Sequence, residues 1–358
     1  EAPAPGLNPV EVQHDIALRE FNTLALNARA GTLYRVASET ELDTLVAQLG
    51  DSARELRVLG QGSNTVFTRD IDEPLLQLLL SDIVVSELDT PGDTAGDADR
   101  TDAGVLIDVG AGLPWQALVD WSCERQLAGL ENLNRIPGSV GAAPVQNIGA
   151  YGVELGQRLV SVRGFDLQDR CWRELSNDAC ELGYRDSIFK HALRDRFVIT
   201  RVRLRLDRSF FPVLDYPALA SHFAGQPAPD LRAVAAAVAA IRASKLPDPA
   251  LLPNAGSFFK NPVVERAHYQ RLQAAHADIP GYVQRGGEAI KIPAAWLLER
   301  AGWKGRRAGA LGMHQHQALV MVNYGGASGL EVLAFAQAMQ ADIRQRFGID
   351  LDIEPRVY

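Results

Sequence analysis

Three stretches of this sequence carry residues whose types and spacing could do chemistry. The first is Gly60-Gln61-Gly62-Ser63-Asn64, directly after the apolar run Leu56 to Leu59. Glycines at such a place let backbone N–H groups converge on a phosphate or pyrophosphate, and Ser63 and Asn64 add side-chain donors. A tight turn between strands would use the same residues. The dinucleotide fingerprint GxGxxG opens a helix, whereas Thr65-Val66-Phe67 reads as extended, which argues against a standard nicotinamide domain. The second stretch runs Ile136-Pro137-Gly138-Ser139-Val140-Gly141 and then Gln146-Asn147-Ile148-Gly149-Ala150-Tyr151-Gly152. It is glycine-rich and uncharged, so it suits close backbone approach to a large flat partner, an isoalloxazine ring being one candidate, or a tight crossing in a core. The third, Asn254 to Pro262, sets Ser257 on a glycine turn backed by Phe258 and Phe259. No G-x-S-x-G elbow is present. Ser257 is therefore read either as a turn residue or as a proton donor in a dry pocket. His314 and His316 would share a face on a strand, but no third ligand accompanies them. The acidic stretch 89–104 lacks calcium-loop spacing, so no metal is expected.

The elements that must position these residues follow from periodicity and caps. Thr32 to Val36, Leu56 to Leu59, Leu75 to Leu80 and Ile83 to Leu88 read as strands. Between the first two, Leu42, Leu45, Val46 and Leu49 recur at helical spacing behind Ser38 and Glu41, a capping box. Asp89 to Gly104 reads as a solvated hairpin loop, and Val105 to Val109 as the returning strand. Pro114 to Gln126 reads as a helix, and Leu159 to Phe165, Trp172 to Leu175 and Phe197 to Leu206 as further strands. A helix over 230–243 is capped by Asp230 and stops at Lys245-Leu246-Pro247, a natural boundary. Helices at 264–276 and 294–301, a strand at 318–323, a helix from Ser328 to Arg346 stopped by Gly348, and a last strand at 349–358 complete an α+β chain.

Composition narrows the function. The 358 residues suggest about two domains, possible room for three. Hydrophobic residues make up 47% and charged ones 22%, which excludes wholesale disorder. A net charge of −8 disfavours nucleic acid and anionic membrane as partners. The longest apolar run, Ala233 to Ile241, falls far short of a membrane span of about 20 residues. Three cysteines without a CxxC pair fit a reducing cytoplasmic compartment better than a disulfide framework. The N-terminus has no basic segment followed by an apolar core, so no secretory leader is expected and residues 1–18 read as a loose tail.

Six motifs in order resemble the UDP-N-acetylenolpyruvoylglucosamine reductase family. They are Gly60 to Asn64, Ile136-Pro137-Gly138 through Asn147 to Gly152, Gly183-Tyr184-Arg185-Asp186-Ser187, Lys245-Leu246-Pro247, Gly256 to Pro262 and Glu354-Pro355-Arg356. The resemblance covers about residues 20 to 358. Pro212-Val213-Leu214-Asp215-Tyr216 resembles the subclass with a substrate-covering tyrosine loop. It implies a vanillyl-alcohol-oxidase-like (PCMH-type) FAD-binding fold of two subdomains, 19–73 and 74–210, with 349–358 returning to the second. A separate α+β substrate-binding domain would span 245–348. It implies FAD held by Gly60, Gln61, Gly62, Ser63, Asn64, Ile136, Pro137, Gly138, Gln146, Ile148, Gly149, Gly152 and Arg356. Neither glycine-rich loop contains His or Cys, so the FAD is expected to be non-covalent.

The implied reaction belongs to peptidoglycan precursor synthesis. NADPH reduces the flavin, which passes hydride to the terminal carbon of the enolpyruvyl ether of UDP-N-acetylglucosamine enolpyruvate, giving UDP-N-acetylmuramate. Ser257 matches the proton donor, Arg185 the enolate stabiliser and Glu354 the third catalytic position. The C-terminal match is read through Leu351, which places Glu354 there and needs no gap after Phe347. An ionised Glu354 would repel a developing anion, so it is expected protonated or paired with an Arg. Tyr184, Tyr216, Arg242, Lys245, Asn261, Lys291 and Gln317 match substrate-binding positions. A monomer is expected. An FAD-dependent oxidase of the same fold and a non-catalytic FAD- or nucleotide-binding module are the competing readings.

Overall fold

The computed structural model describes residues 10–87, 104–284 and 286–358. All of the acidic stretch 89–104 except Gly104, and the first nine residues of the expected tail, lie outside them. The chain divides into two compact units. The first is built from residues up to Ile16, Ala30–Gln61 and Asp72–Arg242, the second from Ala17–Arg29, Gly62–Ile71 and Ala243–Tyr358.

The first unit holds two sheets. Arg29–Val36 and Arg57–Val58 both pair in parallel with Leu75–Leu78, through Leu33↔Leu75 and Arg57↔Leu75. A parallel pair needs a crossover, and helix Glu39–Leu49 follows Arg29–Val36. The Ser38 hydroxyl accepts from the Glu41 amide at 3.1 Å, while the Glu41 carboxylate accepts from the Ala37 amide at 2.7 Å. Glu11–Ala17, expected as loose tail, forms the edge strand of this sheet. Its side chains are mostly exposed, so it shows none of the alternation that marks a half-buried strand. The second sheet is antiparallel, in the order Cys171–Ser176, Leu159–Asp166, Phe197–Asp207, Gly104–Gly110, Ile83–Glu87. Both sheets and helix Trp115–Glu124 share one core, with Val36, Leu42, Leu76, Ile107, Trp115, Leu118 and Val202 buried in it. Asp166 closes one end of the antiparallel sheet. Burial opposes its ionisation, yet donation from Arg196, the Asp169 amide and Arg173 holds its pKa at about 2.

Helix Leu231–Lys245 starts where expected, the Asp230 carboxylate accepting from the Ala233 amide at 2.7 Å. A short helix at Pro217–Phe223, with Pro at its first position, was not foreseen.

The second unit carries an antiparallel sheet ordered Asn254–Ser257, Val320–Asn323, Leu311–Met313, Arg307–Ala308. A smaller sheet joins Val263–Glu265, Ala289–Lys291 and Tyr282–Val283. Because Val263–Glu265 pairs as a strand, the helix expected from 264 begins at Arg266. Helix Gly329–Phe347 has the complete Ser328–Glu331 capping box and ends at Gly348 with φ 63°. It buries Val332, Phe335, Met339 and Ile343 with Phe258, Phe259, Leu297 and Met321. The last strand shrinks from the expected 349–358 to Arg356–Val357. Pro355 has no N–H to give a ladder, and Asp352 and Glu354 bond instead to the segment at 258–260. Residues 349–358 lie in the second unit rather than returning to 74–210, because Arg356 pairs in parallel with Thr65. No helix among the described residues is long and apolar enough to cross a membrane.

Candidate active site

The first unit brings the two glycine-rich stretches together. A Cβ on Gly60 would stand 3.2 Å from the Ser139 hydroxyl, so the end of one loop lies against the start of the other. Beyond Ile136, Pro137 and Gly138, the chain turns through Val140–Ala142 and Pro144–Gln146. It then reaches Ile148, Gly149, Tyr151 and Gly152. Two non-glycine residues here are left-handed, Asn147 at φ 43° and Tyr151 at φ 49°. Such backbone is strained unless its surroundings fix it. Asn147 is fixed by its own amide: Nδ2 donates to the Gly183 carbonyl and to Glu154, each at 3.0 Å, and Oδ1 accepts from the Gly156 amide at 2.9 Å.

Those bonds tie the loop to the segment carrying Tyr184 and Arg185. Arg185 is itself left-handed at φ 54°. Gly183 and Asp186 exchange backbone bonds on either side of it, Lys190 donates to its carbonyl at 3.1 Å, and Ser187 donates to the Val145 carbonyl at 2.6 Å. The Arg185 guanidinium donates to the Gly149 carbonyl at 2.7 Å. A Cβ on Gly149 would sit 2.9 Å from Glu154 Cγ and 3.2 Å from both that guanidinium and the Val153 carbonyl oxygen, so a larger residue would crowd the loop and push on Arg185. The Tyr184 ring lies 5.7 Å away.

Arg242 extends the cationic group. Its Nε is buried with no hydrogen-bond partner among the described residues. Burial pushes its pKa down, the Tyr151 phenol works against that, and Arg185 reinforces it. Tyr151 meets the Tyr216 ring edge-on with centroids 5.0 Å apart.

In the second unit, Gly62 to Asn64 runs into Thr65–Val66. A Cβ on Gly62 (φ 62°) would be 1.9 Å from the Phe21 carbonyl oxygen, so no other residue fits. Ser63 accepts at its carbonyl from Thr23, and the Asn64 carbonyl from the Arg356 amide at 2.9 Å. The Arg356 guanidinium lies 4.1 Å from the Tyr358 ring centroid. Ser257 ends a strand with a bulge: Asn254 faces Val322 and Ser257 faces Val320, three residues against two, with Gly256 at φ 70°. A bulge re-aims the side chain that follows it. The Ser257 hydroxyl makes no hydrogen bond among the described residues. The Phe258 carbonyl beside it accepts from the Glu354 amide at 2.9 Å, so the segments that carry two expected catalytic residues adjoin. Asn261 uses its Oδ1 to accept from the Ala294 amide at 2.9 Å, leaving its Nδ2 as a donor. Lys291 lies between Val263 and Tyr282 in the small sheet, Gln317 precedes strand Val320–Asn323, and Lys245 ends its helix exposed.

His314 and His316 are 5.5 Å apart, and burial, then His316, push His314 below the ordinary imidazole value. Among the described residues no three His, Cys, Asp or Glu side chains are placed to hold a metal ion. Burial pushes Cys123 up to about 11 and Cys180 up to about 12, so neither is a thiolate nucleophile at neutral pH.

Comparison with known proteins bears on this arrangement. The profile of the FAD binding domain matches residues 32–166, and that of the UDP-N-acetylenolpyruvoylglucosamine reductase C-terminal domain matches 248–358. The UDP-N-acetylenolpyruvoylglucosamine reductase of Pseudomonas aeruginosa is 43% identical over 351 residues, 98% of this chain and 99% of that one. The chain belongs to the UDP-N-acetylenolpyruvoylglucosamine reductase family. The protein of that name from an Azoarcus species is 45% identical over 97% of this chain and 98% of its own. The crystal structure of the Thermus caldophilus UDP-N-acetylenolpyruvylglucosamine reductase covers 98% of both chains at 24% identity with a TM-score of 0.64, a shared fold. An FAD-binding α+β chain with a separate C-terminal domain is thus borne out. Within this UDP-N-acetylenolpyruvoylglucosamine reductase framework, Asn132, which donates to the Tyr151 carbonyl, and Lys190 are supporting residues the sequence reading does not contain, and Asn147 stands there in a motif without its supporting role. Buried asparagines leave no periodic mark, and Lys190 resembles any surface lysine.

Proposed function

We propose that this chain is an FAD- and NADPH-dependent oxidoreductase that reduces UDP-N-acetylglucosamine enolpyruvate to UDP-N-acetylmuramate in peptidoglycan synthesis. The observation that carries the reading is the Arg185 guanidinium fixed on the Gly149 carbonyl of the second glycine-rich stretch, with Arg242 and the Tyr151–Tyr216 ring pair grouped about that stretch. The residues fit FAD: the loops are uncharged, approach each other at Gly60 and Ser139, and offer amide and hydroxyl donors but no His or Cys for a covalent link. Gly60, Gln61, Gly62, Ser63 and Asn64 would hold the pyrophosphate. Ile136, Pro137, Gly138, Gln146, Ile148, Gly149 and Gly152 would line the ring, and Arg356 is a further FAD residue by its match to the family motif. The bound flavin supplies hydride transfer from NADPH to the alkene.

The protein's own work is charge and proton control. Hydride addition at the terminal alkene carbon leaves carbanion character at the other, delocalised into the carboxylate. Arg185, already fixed by its bond to Gly149, stabilises that charge and contributes roughly 3–4 kcal/mol by analogy with oxyanion-hole donors. Ser257 Oγ delivers the proton; a hydroxyl is a weak acid, so it serves only a strongly basic enolate within hydrogen-bond reach. Glu354 stands beside it and acts protonated or Arg-paired. Tyr184, Tyr216, Arg242, Lys245, Asn261, Lys291 and Gln317 bind the diphosphate, sugar and carboxylate. The protein works as a monomer in the cytoplasm.

Anaerobic turnover tests the reading. One NADPH should be consumed for each UDP-N-acetylmuramate formed. An oxidase, deprived of oxygen, would not turn over and would leave NADPH untouched, and a non-catalytic flavin binder would stay yellow. In Tyr216→Phe, substrate affinity should fall more than flavin affinity; unaltered substrate affinity would count against the tyrosine-loop assignment.

A further inference from the structure

The three-residue turn Glu131–Leu133 lies in the core of the first unit, with Asn132 completely buried. The Asn132 Nδ2 donates twice, to the Tyr151 carbonyl at 2.8 Å and to the Val213 carbonyl at 2.9 Å. Both neighbours are acceptors, so the amide has one workable orientation; flipped, its oxygen would face two oxygens. The Asn132 Oδ1 is buried with no hydrogen-bond partner. An orphaned buried acceptor is destabilising, so the two donated bonds are what this side chain is there to supply. They join two segments that are distant in sequence. Tyr151 belongs to the second glycine-rich stretch and is left-handed at φ 49°. Val213 lies three residues before Tyr216, whose ring packs on Tyr151. A Cβ on Gly152 would touch Val213 at 3.4 Å, so the two segments already run in contact. Leu219, in the helix that follows Tyr216, packs with Tyr151, Val234 and Val238. From the same turn, Asn134 Nδ2 donates at 2.8 Å to the Ala235 carbonyl, in the helix that bears Arg242.

We propose that Asn132 is a positioning residue: it locks the segment carrying Tyr216 onto the glycine-rich stretch at Tyr151 and so sets affinity for the enolpyruvyl substrate. This rests on the reading of Tyr216 as a substrate residue. Asn132 is completely buried and acts through Tyr216.

Asn132→Asp keeps the shape, removes both donations and turns an oxygen toward two carbonyls. Its KM for UDP-N-acetylglucosamine enolpyruvate should rise about thirtyfold, as expected for losing two neutral hydrogen bonds. Flavin reduction at saturating NADPH should keep its wild-type rate. The double variant Asn132→Asp/Tyr216→Phe should show the KM of Tyr216→Phe alone, since both changes remove one function. If Asn132→Asp does not fold, Asn132→Ser, shorter but still a donor, should give the same split at smaller size. Additive effects in the double variant, equal slowing of both half-reactions, or a lowered melting temperature with unchanged KM would each overturn the proposal. A wild-type protein that bleaches with NADPH but never turns over would instead defeat the assigned activity.

Discussion

Arg185 and Ser257 are held by opposite devices. Arg185 sits in left-handed backbone that a non-glycine residue avoids, and polar side chains from elsewhere keep it there: Asn147 on the Gly183 carbonyl, Lys190 on its own carbonyl, Ser187 on the Val145 carbonyl. Ser257 takes its direction from a bulge inside a regular sheet, where Gly256 absorbs the positive φ, the ladder bonds hold the strand and one buried side chain, Asn254, accepts from the Gly256 amide at 2.9 Å. The strained site therefore depends on side chains that can be mutated one at a time. The bulged site depends on the sheet ladder and on a single side chain of its own strand, Asn254.

The largest expected effect breaks the bulged site at its chemistry. Ser257→Ala should lower the rate of flavin reoxidation by substrate about 10²–10⁴-fold, the usual worth of a general acid, with NADPH reduction unaltered in stopped flow. Equal slowing of both half-reactions would remove Ser257 from the proton step.

Much of this contrast is legible in the sequence. Caps marked Glu39–Leu49 and Gly329–Phe347, and Thr65-Val66-Phe67 read as extended because no helical pattern follows Asn64. Ser257 stood out as a hydroxyl on a glycine turn. What supports Arg185 did not, because a hydrogen bond from Asn147 or Lys190 to a distant carbonyl has no period and no spacing. The strand at Glu11–Ala17 was missed for a related reason: an edge strand with exposed side chains looks like tail. The C-terminal strand was overextended because its apolar pattern hid the redirection at Pro355.

Acid sharpens the difference between the units. The folded pKa of Asp166, about 2, lies below its ordinary value of 3.8. Its contribution is therefore complete above the ordinary value and is lost as pH falls from about 4 through 2. One and a half to two pKa units correspond to about 2–3 kcal/mol. Asp166→Asn should lower the urea midpoint at pH 6 and lose most of that deficit near pH 2.5. A gap that does not narrow would mean Asp166 is ionised no more easily in the folded chain than outside it.

Lys190→Met removes a charged donor from the strained residue. Substrate-driven flavin reoxidation should slow about tenfold, in the range for a hydrogen bond to a charged group, and Lys190→Arg should restore part of it. No change would mean the exchanged Gly183 and Asp186 bonds suffice. The smallest effect belongs to Gly256→Ala. Open space surrounds the position, so only the positive φ is penalised, and the melting curve should show a loss of about 1 kcal/mol. A neutral result would show that the bulge does not need its glycine.

The most direct measurement is anaerobic double-mixing stopped flow on the wild type and Ser257→Ala. NADPH should bleach the bound flavin in both, and UDP-N-acetylglucosamine enolpyruvate should restore the colour quickly in the wild type and hardly at all in the variant. A wild-type protein that takes up no FAD, or whose bleached flavin stays bleached after substrate is added, would contradict the account.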